Sequence, residues 1–134
     1  MPAMQGLHLT ADLQGCSTER PEMTEPAALR QLCLAAVQAA GLQAVGELFH
    51  RFAAPDGEPA GITGVVLLAE SHLAVHTWPE IAAVTLDVYV CNFGADNSAK
   101  ADTLLQGLLQ AFAPQKADLQ RLVRGRALVG AAVS

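Results

Sequence analysis

The chain has 134 residues, of which 51% are hydrophobic and 16% are charged, and its formal net charge is −5. This length suits one domain with a substantial buried core. The negative charge and the scarcity of aromatic residues argue against nucleic acid or an anionic membrane as the main partner. No apolar run approaches the roughly 18 residues of a membrane span, and the N-terminus lacks a signal-peptide pattern. We therefore expect a single cytoplasmic domain over residues 1–134.

The first half of the chain predicts a strand, a helix and a second strand. Apolar and polar residues alternate over 7–13, which is typical of a half-buried strand. Thr24 is the expected N-cap of a helix that has Pro26 in its first turn, and Gly41 is its expected end. A strand over about 42–52 follows, and then a polar loop over 53–61.

The second half predicts three further strands and a second helix. Residues 62–78 are rich in β-branched and apolar side chains until Pro79, which interrupts strand pairing. Alternation predicts a strand over 82–91, apolar spacing predicts a helix over 98–112, and 118–129 supplies a last strand. Because strands dominate and two amphipathic helices are spaced among them, we expect an α+β fold. It is a two-layer sandwich with one mostly antiparallel sheet and both helices on one face.

The segment LLAESHLAVHTWPE, residues 67–80, places a serine between an acid and a histidine. One interpretation makes Ser71 and His72 turn residues and His76 a structural histidine. His72 and His76 have the spacing of helical zinc ligands, but four residues of a strand span roughly 13 Å. We therefore expect no metal site. The Gly-x-Ser-x-Gly elbow of the serine hydrolases is also absent around Ser71.

Several stretches together resemble the small prokaryotic form of S-adenosylmethionine decarboxylase, a pyruvoyl-dependent family of spermidine synthesis. They are HLTADLQGC, FHRF, GVVLLAESHLAVHTWPE and LDVYVC, which extend over most of the chain. The central motif is specific, because Glu-Ser-His, a histidine five residues after the serine and a cysteine twenty residues after it occur together and in order.

The resemblance implies a proenzyme that cleaves itself between Glu70 and Ser71. In this family the serine hydroxyl attacks the preceding carbonyl, the resulting ester eliminates, and loss of ammonia leaves a pyruvoyl group on the second chain. His76 matches the histidine that accepts a proton during processing. Thr63 occupies the position of a supporting hydroxyl residue, where the family often has serine.

The resemblance also assigns residues to decarboxylation and to substrate binding. The pyruvoyl carbonyl condenses with the substrate's amine as a Schiff base and accepts the electrons released with CO₂. Cys91 matches the donor that returns a proton to carbon. Glu80 matches the carboxylate that binds the ribose hydroxyls. Phe52 and Trp78 are candidates for apolar contact with the adenine or the sulfonium region, with ordinary core packing as the alternative.

The residue pattern separates the three cysteines, whose odd number and unrelated spacings favour reduced thiols. Cys91 shares a strand face with Asp87 and Tyr89 rather than with the buried valines of its strand. Cys33 lies on the apolar stripe of its helix and is expected in the core. Cys16 follows a strand and a glycine and receives no role.

The spacing of Ser71 and His76 sets a geometric condition on this mechanism. In a straight strand the two side chains face opposite sides and lie about 16 Å apart, too far for a base to act. We therefore expect the backbone to bend between them, or one of them to reach around an edge, with irregular structure near Ser71. Strain at that point favours attack on the Glu70 carbonyl.

The resemblance implies a homodimer of cleaved protomers, with sites near the interface and S-adenosylmethionine as substrate. Two alternatives remain open. One is a pyruvoyl-dependent decarboxylase of free arginine or ornithine, against which Glu80 argues because a free amino acid has no ribose. The other is an uncleaved, non-catalytic paralogue, against which the joint presence of Ser71, His76 and Cys91 argues. The loop over 53–61 is longer than is usual for the family.

Overall fold

The computed structural model describes residues 5–53, 56–57, 60–92 and 95–125. It contains six strands and two α-helices. In chain order they are β1 (Gly6–Gln14), α1 (Pro26–Ala39), β2 (Ala44–Arg51), β3 (Ile62–Leu68), β4 (Ser71–Trp78), β5 (Ala83–Cys91), α2 (Ser98–Phe112) and β6 (Lys116–Arg124). Two short 3-10 turns, Pro21–Met23 and Pro79–Ile81, precede α1 and join β4 to β5.

The six strands form one sheet in the order β2-β3-β4-β5-β1-β6, and every neighbouring pair is antiparallel. Strands β2 to β5 follow one another along the chain, whereas β1 is inserted between β5 and β6. The two helices contact each other and pack on one face of the sheet. The predicted α+β sandwich, with a mostly antiparallel sheet and both helices on one face, is confirmed.

One hydrophobic core fills the space between the sheet and the helices. Strand residues that point toward the helices alternate with residues that point away, as the sequence pattern predicts. The fully buried members include Leu13, Leu73, Val75 and Leu86 from the sheet, Leu29, Cys33 and Val37 from α1, and Leu104, Leu108 and Phe112 from α2. Burial of each large apolar side chain contributes about 1.5–3 kcal/mol, so this layer fixes which face of each strand points outward.

The boundaries of α1 test two sequence predictions. Thr24 as the N-cap is wrong: Glu25 occupies that position, and Thr24 closes the preceding 3-10 turn through its N–H to the Pro21 carbonyl. Pro26 begins the helix, where its fixed φ and missing N–H cost nothing. Gly41 as the helix end is confirmed, since it follows the C-cap with a φ of +80°.

The edge strands differ slightly from their predicted bounds. β2 covers Ala44–Arg51 instead of 42–52. β6 begins at Lys116, two residues earlier than predicted, because its pairing with β1 extends as far as Gln14. Residues 126–129 of the predicted last strand lie outside the described residues.

The opposite side of the sheet, here called the open face, is not covered by a helix within the described part of the chain. Alternation and strand register assign residues to this face. They include His8, Thr10, Leu48, His50, Thr63, Val65, Leu67, His72, Ala74, His76, Trp78, Thr85, Asp87, Tyr89, Cys91 and Leu122. Leu48 is 71% exposed, and Leu67 and Leu122 are also exposed. An antiparallel sheet can face water on one side, but exposed large apolar side chains near both edges of this face are consistent with an interaction surface.

Thr77 is the buried polar side chain of the described core, at 2% exposure. Its hydroxyl donates a hydrogen bond to the Met23 carbonyl at 2.8 Å and accepts one from the Ile62 N–H at 2.9 Å. It therefore joins the end of β4 to the start of β3 and to the turn before α1. A buried hydroxyl is tolerated when both of its partners are supplied in this way.

Replacing Thr77 by valine should lower the free energy of unfolding by about 1–3 kcal/mol, because two buried backbone groups lose their partner at nearly constant volume. Urea unfolding followed by the fluorescence of the single tryptophan measures the change. Thr103→Val is the matched control, since the Thr103 hydroxyl bonds a helix carbonyl at an exposed position and should stay within about 0.5 kcal/mol. Equal effects of the two substitutions would contradict the anchoring role.

Candidate active site

A two-residue turn, residues 69–70, connects β3 to β4, and Leu68 pairs directly with Ser71 across it. Glu70, the second turn residue, has a φ of +56°. This left-handed region is usually occupied by glycine and costs other residues roughly 1–2 kcal/mol. The irregular structure expected near Ser71 is therefore present as a strained turn, and the Glu70–Ser71 bond lies where the turn meets the strand.

Ser71 and Cys91 meet at one end of the sheet. The Ser71 hydroxyl is half-buried at the start of β4 and accepts a hydrogen bond from the Cys91 N–H at 3.1 Å. Cys91 ends β5 at 9% exposure and, by strand alternation, shares the open face with Asp87 and Tyr89 as predicted. Glu70, Ser71 and Cys91 together are called the serine end below.

Thr63 and His76 meet near the other end of the same strands. They are direct partners in the pairing of β3 with β4, and Thr63 Oγ1 lies 3.0 Å from His76 Nδ1 in a shared hydrogen bond. The His76 ring also stacks on Trp78, with centroids 6.2 Å apart and planes at 29°. The threonine supplies the hydroxyl that orients the imidazole, and it does so from the neighbouring strand.

The proposed binding residues gather near His76. Trp78 is 42% exposed and Phe52 is 48% exposed, so the alternative of core packing is wrong for both. Phe52 packs edge-on against His50, with centroids 5.3 Å apart, and His50 pairs with Thr63 across β2 and β3. Glu80 lies exposed in the 3-10 turn that follows β4. Thr63, His76, Trp78, Glu80 and Phe52 are called the histidine end below.

The bend expected between Ser71 and His76 is wrong. β4 is regular from Ser71 to Trp78, and it pairs without a bulge with β3 on one side and with β5 on the other. Both neighbours hold the strand straight, so five residues at about 3.3 Å each place the two residues about 16 Å apart with side chains of opposite parity. Within one chain His76 therefore does not reach the Glu70–Ser71 bond.

Sequence reasoning missed a cluster of rings and charges on the open face beside Ser71. His72 stacks on Tyr89 with centroids 5.6 Å apart and planes at 25°, and His8 Nε2 lies 3.0 Å from Asp87 Oδ1. Burial lowers the pKa of His72, the nearby His8 lowers it further, and Asp87 opposes the shift. No local pattern could reveal this cluster, because His8 and Asp87 are 79 residues apart and meet only through the insertion of β1 beside β5.

The other two cysteines lie away from these residues. Burial raises the pKa of the Cys33 thiol to about 12, and Cys33 is part of the core, as predicted. Burial also raises the pKa of Cys16, against a lowering effect of Arg20. All three cysteines are free thiols. Among the described side chains no group of three His, Cys, Asp or Glu residues is placed to hold a metal ion, and no described helix is long and apolar enough to cross a membrane.

Two described cavities lie outside the candidate residues. One of about 410 Å³ is bounded by Gln5, Asn92 and Arg121 beside the start of α2. The other, of about 610 Å³, lies between residues 15–20 and the end of α2. Neither is lined by Ser71, His76 or Cys91. These two cavities therefore do not enclose the candidate catalytic residues, since His76 and Cys91 lie on the open face and Ser71 lies at the start of β4.

Comparison with known proteins identifies one family. A family model described as S-adenosylmethionine decarboxylase matches residues 7–125. The S-adenosylmethionine decarboxylase proenzyme of Aquifex aeolicus is 37% identical over 120 residues, 90% of this chain and 81% of that protein. The proenzyme of Persephonella marina is 38% identical over 90% of this chain and 82% of its own length. The crystal structure of the Aquifex aeolicus adenosylmethionine decarboxylase superposes with a TM-score of 0.76 at 34% identity, over 92% of each chain.

The lowered pKa of His72 predicts a pH dependence of stability. The folded chain favours the neutral imidazole, so its contribution is fully present above the ordinary pKa of 6.5 and is lost as the pH falls below that value. We expect the melting temperature of the wild type to fall between about pH 7.5 and 5, and His72→Gln to fall less over the same range. Parallel melting curves for the two proteins would contradict this assignment.

Proposed function

The chain belongs to the S-adenosylmethionine decarboxylase family, and we propose that it is a proenzyme which cleaves itself between Glu70 and Ser71. Its activity is the decarboxylation of S-adenosylmethionine, with a pyruvoyl group formed from one of its own serines. The observation that carries the choice of Ser71 is the strained turn. Glu70 has a positive φ, and the next residue is a serine whose hydroxyl is held by the Cys91 N–H.

Cleavage begins at the Ser71 hydroxyl. Its oxygen attacks the Glu70 carbonyl carbon, the Glu70–Ser71 C–N bond breaks, and the hydroxyl proton passes through a base to the freed amine, which leaves an ester. Removal of the Ser71 α-proton then expels Glu70 as a carboxylate. Water replaces the nitrogen, which leaves as ammonia. Breaking the chain at this point also releases the left-handed conformation of Glu70, so the strain favours the cleaved state.

A pyruvoyl group fits position 71 by its surroundings. Position 71 begins a regular strand, is half-buried, and is adjacent to the backbone of Cys91. When formed, the group binds the amine of the substrate and takes up the electrons released with CO₂. In our proposal the Cys91 thiol holds the proton that returns to carbon, since Cys91 shares the open face next to position 71.

The histidine end supplies binding in this proposal. Glu80 accepts hydrogen bonds from the two ribose hydroxyls, which a carboxylate can bind together. Phe52 and Trp78 offer exposed ring faces to the adenine or the sulfonium region. His76 acts as the proton acceptor in processing, and Thr63 holds its ring through the 3.0 Å hydrogen bond.

We propose that a second copy of the chain completes this site, in a homodimer of cleaved protomers. The serine end and the histidine end lie about 16 Å apart along β4. If two open faces pack with a twofold axis across the strands, the serine end of one protomer meets the histidine end of its partner, twice per dimer. The exposed Leu48, Leu67 and Leu122 would be buried by the same packing.

The alternatives are disfavoured by particular residues. An enzyme for free arginine or ornithine has no use for the exposed carboxylate and rings of Glu80, Trp78 and Phe52. A scaffold that never cleaves has no use for a strained turn before a serine. We also propose a cytoplasmic location, which the three free thiols support.

The intact mass of the purified protein tests self-cleavage. We expect chains 1–70 and 71–134, of 70 and 64 residues. The second chain should be lighter by one ammonia than hydrolysis alone would leave it. Ser71→Ala should remain a single chain of 14.0 kDa because it has no attacking hydroxyl. A wild-type protein that stays uncleaved for days at neutral pH would overturn the proposed mechanism.

Coexpression of two inactive variants tests the shared site. Ser71→Ala keeps the histidine, and His76→Ala keeps the serine, so a mixed dimer contains one complete pair and one doubly defective pair. We expect each variant alone to stay uncleaved or cleave slowly, and the His76→Ala chain to be cleaved when the two are coexpressed. Cleavage of the Ser71→Ala chain is not expected, which provides an internal control. If the His76→Ala chain stays uncleaved although distinct tags demonstrate mixed dimers, the proposal of a shared dimeric site is wrong.

A further inference from the structure

The two sides of the Cys91 backbone are held by different hydrogen bonds. Its N–H donates to the Ser71 hydroxyl at 3.1 Å, and its carbonyl accepts from the Asn97 side-chain amide at 2.9 Å. These bonds lie on either side of the Cys91 Cα, in two different peptide planes. Together they restrict both backbone dihedral angles of Cys91, and so they restrict the direction in which its side chain leaves the backbone.

Asn97 is itself fixed by a second asparagine. The Asn97 N–H donates to Asn92 Oδ1 at 2.8 Å, and the Asn92 side-chain amide donates to the Ser98 hydroxyl at 3.2 Å. The Asn92 N–H bonds the Gln5 carbonyl at 2.7 Å, just before β1. The Asn97 amide therefore reaches Cys91 from a support that is tied to both the end of β5 and the start of α2.

The side chain of Asn97 does not make the hydrogen bond that is usual for its position. It occupies the N-cap of α2, where an asparagine side chain ordinarily accepts a hydrogen bond from the first turn of the helix. Here no side-chain cap bond forms, and the amide is directed at the Cys91 carbonyl instead. The residue is placed to stabilise the serine end and not its own helix.

We propose that Asn97 is a positioning residue for Ser71 and Cys91. It holds the Cys91 N–H on the Ser71 hydroxyl oxygen during cleavage, and it holds the direction of the Cys91 side chain during decarboxylation. The inference rests on the roles proposed above for Ser71 and Cys91. It adds a residue whose side chain bonds the Cys91 carbonyl and acts through Cys91.

Asn97→Asp is the discriminating substitution because it keeps the shape and replaces the amide donor by a negatively charged group that only accepts hydrogen bonds. Asp and Asn are equally good N-caps, so a residue that serves only the helix would tolerate the change. A residue that serves Cys91 would not, because a carboxylate oxygen would face the Cys91 carbonyl. Asn97→Ala removes the side chain and is the second variant. Asp102→Asn, which breaks only the exposed ion pair with Arg121, is the matched control on the same helix.

Two readouts separate positioning from folding. The first is the half-time of chain cleavage after cell-free synthesis, followed by intact mass. The second is kcat and KM for CO₂ release by the fully cleaved protein. For Asn97→Asp we expect cleavage and kcat to fall roughly three- to tenfold, the range of one lost hydrogen bond, with KM changed less than about twofold. Asn97→Ala should lose a similar factor, and Asp102→Asn should match the wild type in both readouts.

The inference fails if Asn97→Asp cleaves and turns over like the wild type. It also fails if the melting temperature falls while kcat per folded protein is unchanged, since Asn97 would then be only structural. These outcomes differ from a failure of the proposed function, in which the wild type itself does not cleave or does not release CO₂.

Discussion

The uninterrupted pairing of β4 with both of its neighbours is the constraint on which the rest of the structure depends. β3 and β5 pair with it in continuous register, so it cannot bend without breaking ladders on two sides. Ser71 and His76 are consequently held at opposite ends of one straight strand. A chain that needs both residues at one bond must obtain one of them from elsewhere, and the open face, with its exposed leucines, is where a second copy can supply it.

The same regular strands hold a strained residue next to the bond at which we propose cleavage. A residue in the left-handed region persists only when its surroundings over-determine it. Here Leu68 and Ser71 are paired directly across a turn of two residues, and Glu70 is held in the left-handed region within it. The regularity that separates Ser71 from His76 therefore also places the strained Glu70 next to Ser71. One feature of the sheet therefore supports both proposals, the shared dimeric site and cleavage at Glu70–Ser71.

Local patterns in the sequence predicted the features that depend on residues near one another in the chain. Alternation identified the face that Cys91 shares with Asp87 and Tyr89, apolar spacing identified α2, and Gly41 marked the end of α1. The bend after Ser71 was predicted wrongly, because the prediction assumed that Ser71 and His76 of one chain must meet. The contacts of His8 with Asp87 and of Asn97 with Cys91 had no pattern to reveal them. They depend on strand order and on the path of a loop, which are properties of the whole fold.

The open face carries exposed apolar side chains and a hydrogen-bonded polar group, and the two would respond differently to burial against a partner. Leu48, Leu67 and Leu122 offer apolar area, which favours burial against a partner. His72, Tyr89, His8 and Asp87 form a polar group among them, with its internal contacts already made. Burying polar side chains is tolerable when their hydrogen bonds are already made. A partner that covers this face would therefore also exclude water from the serine end, and the electrostatic interactions that hold Ser71 and Cys91 would become stronger in that drier site.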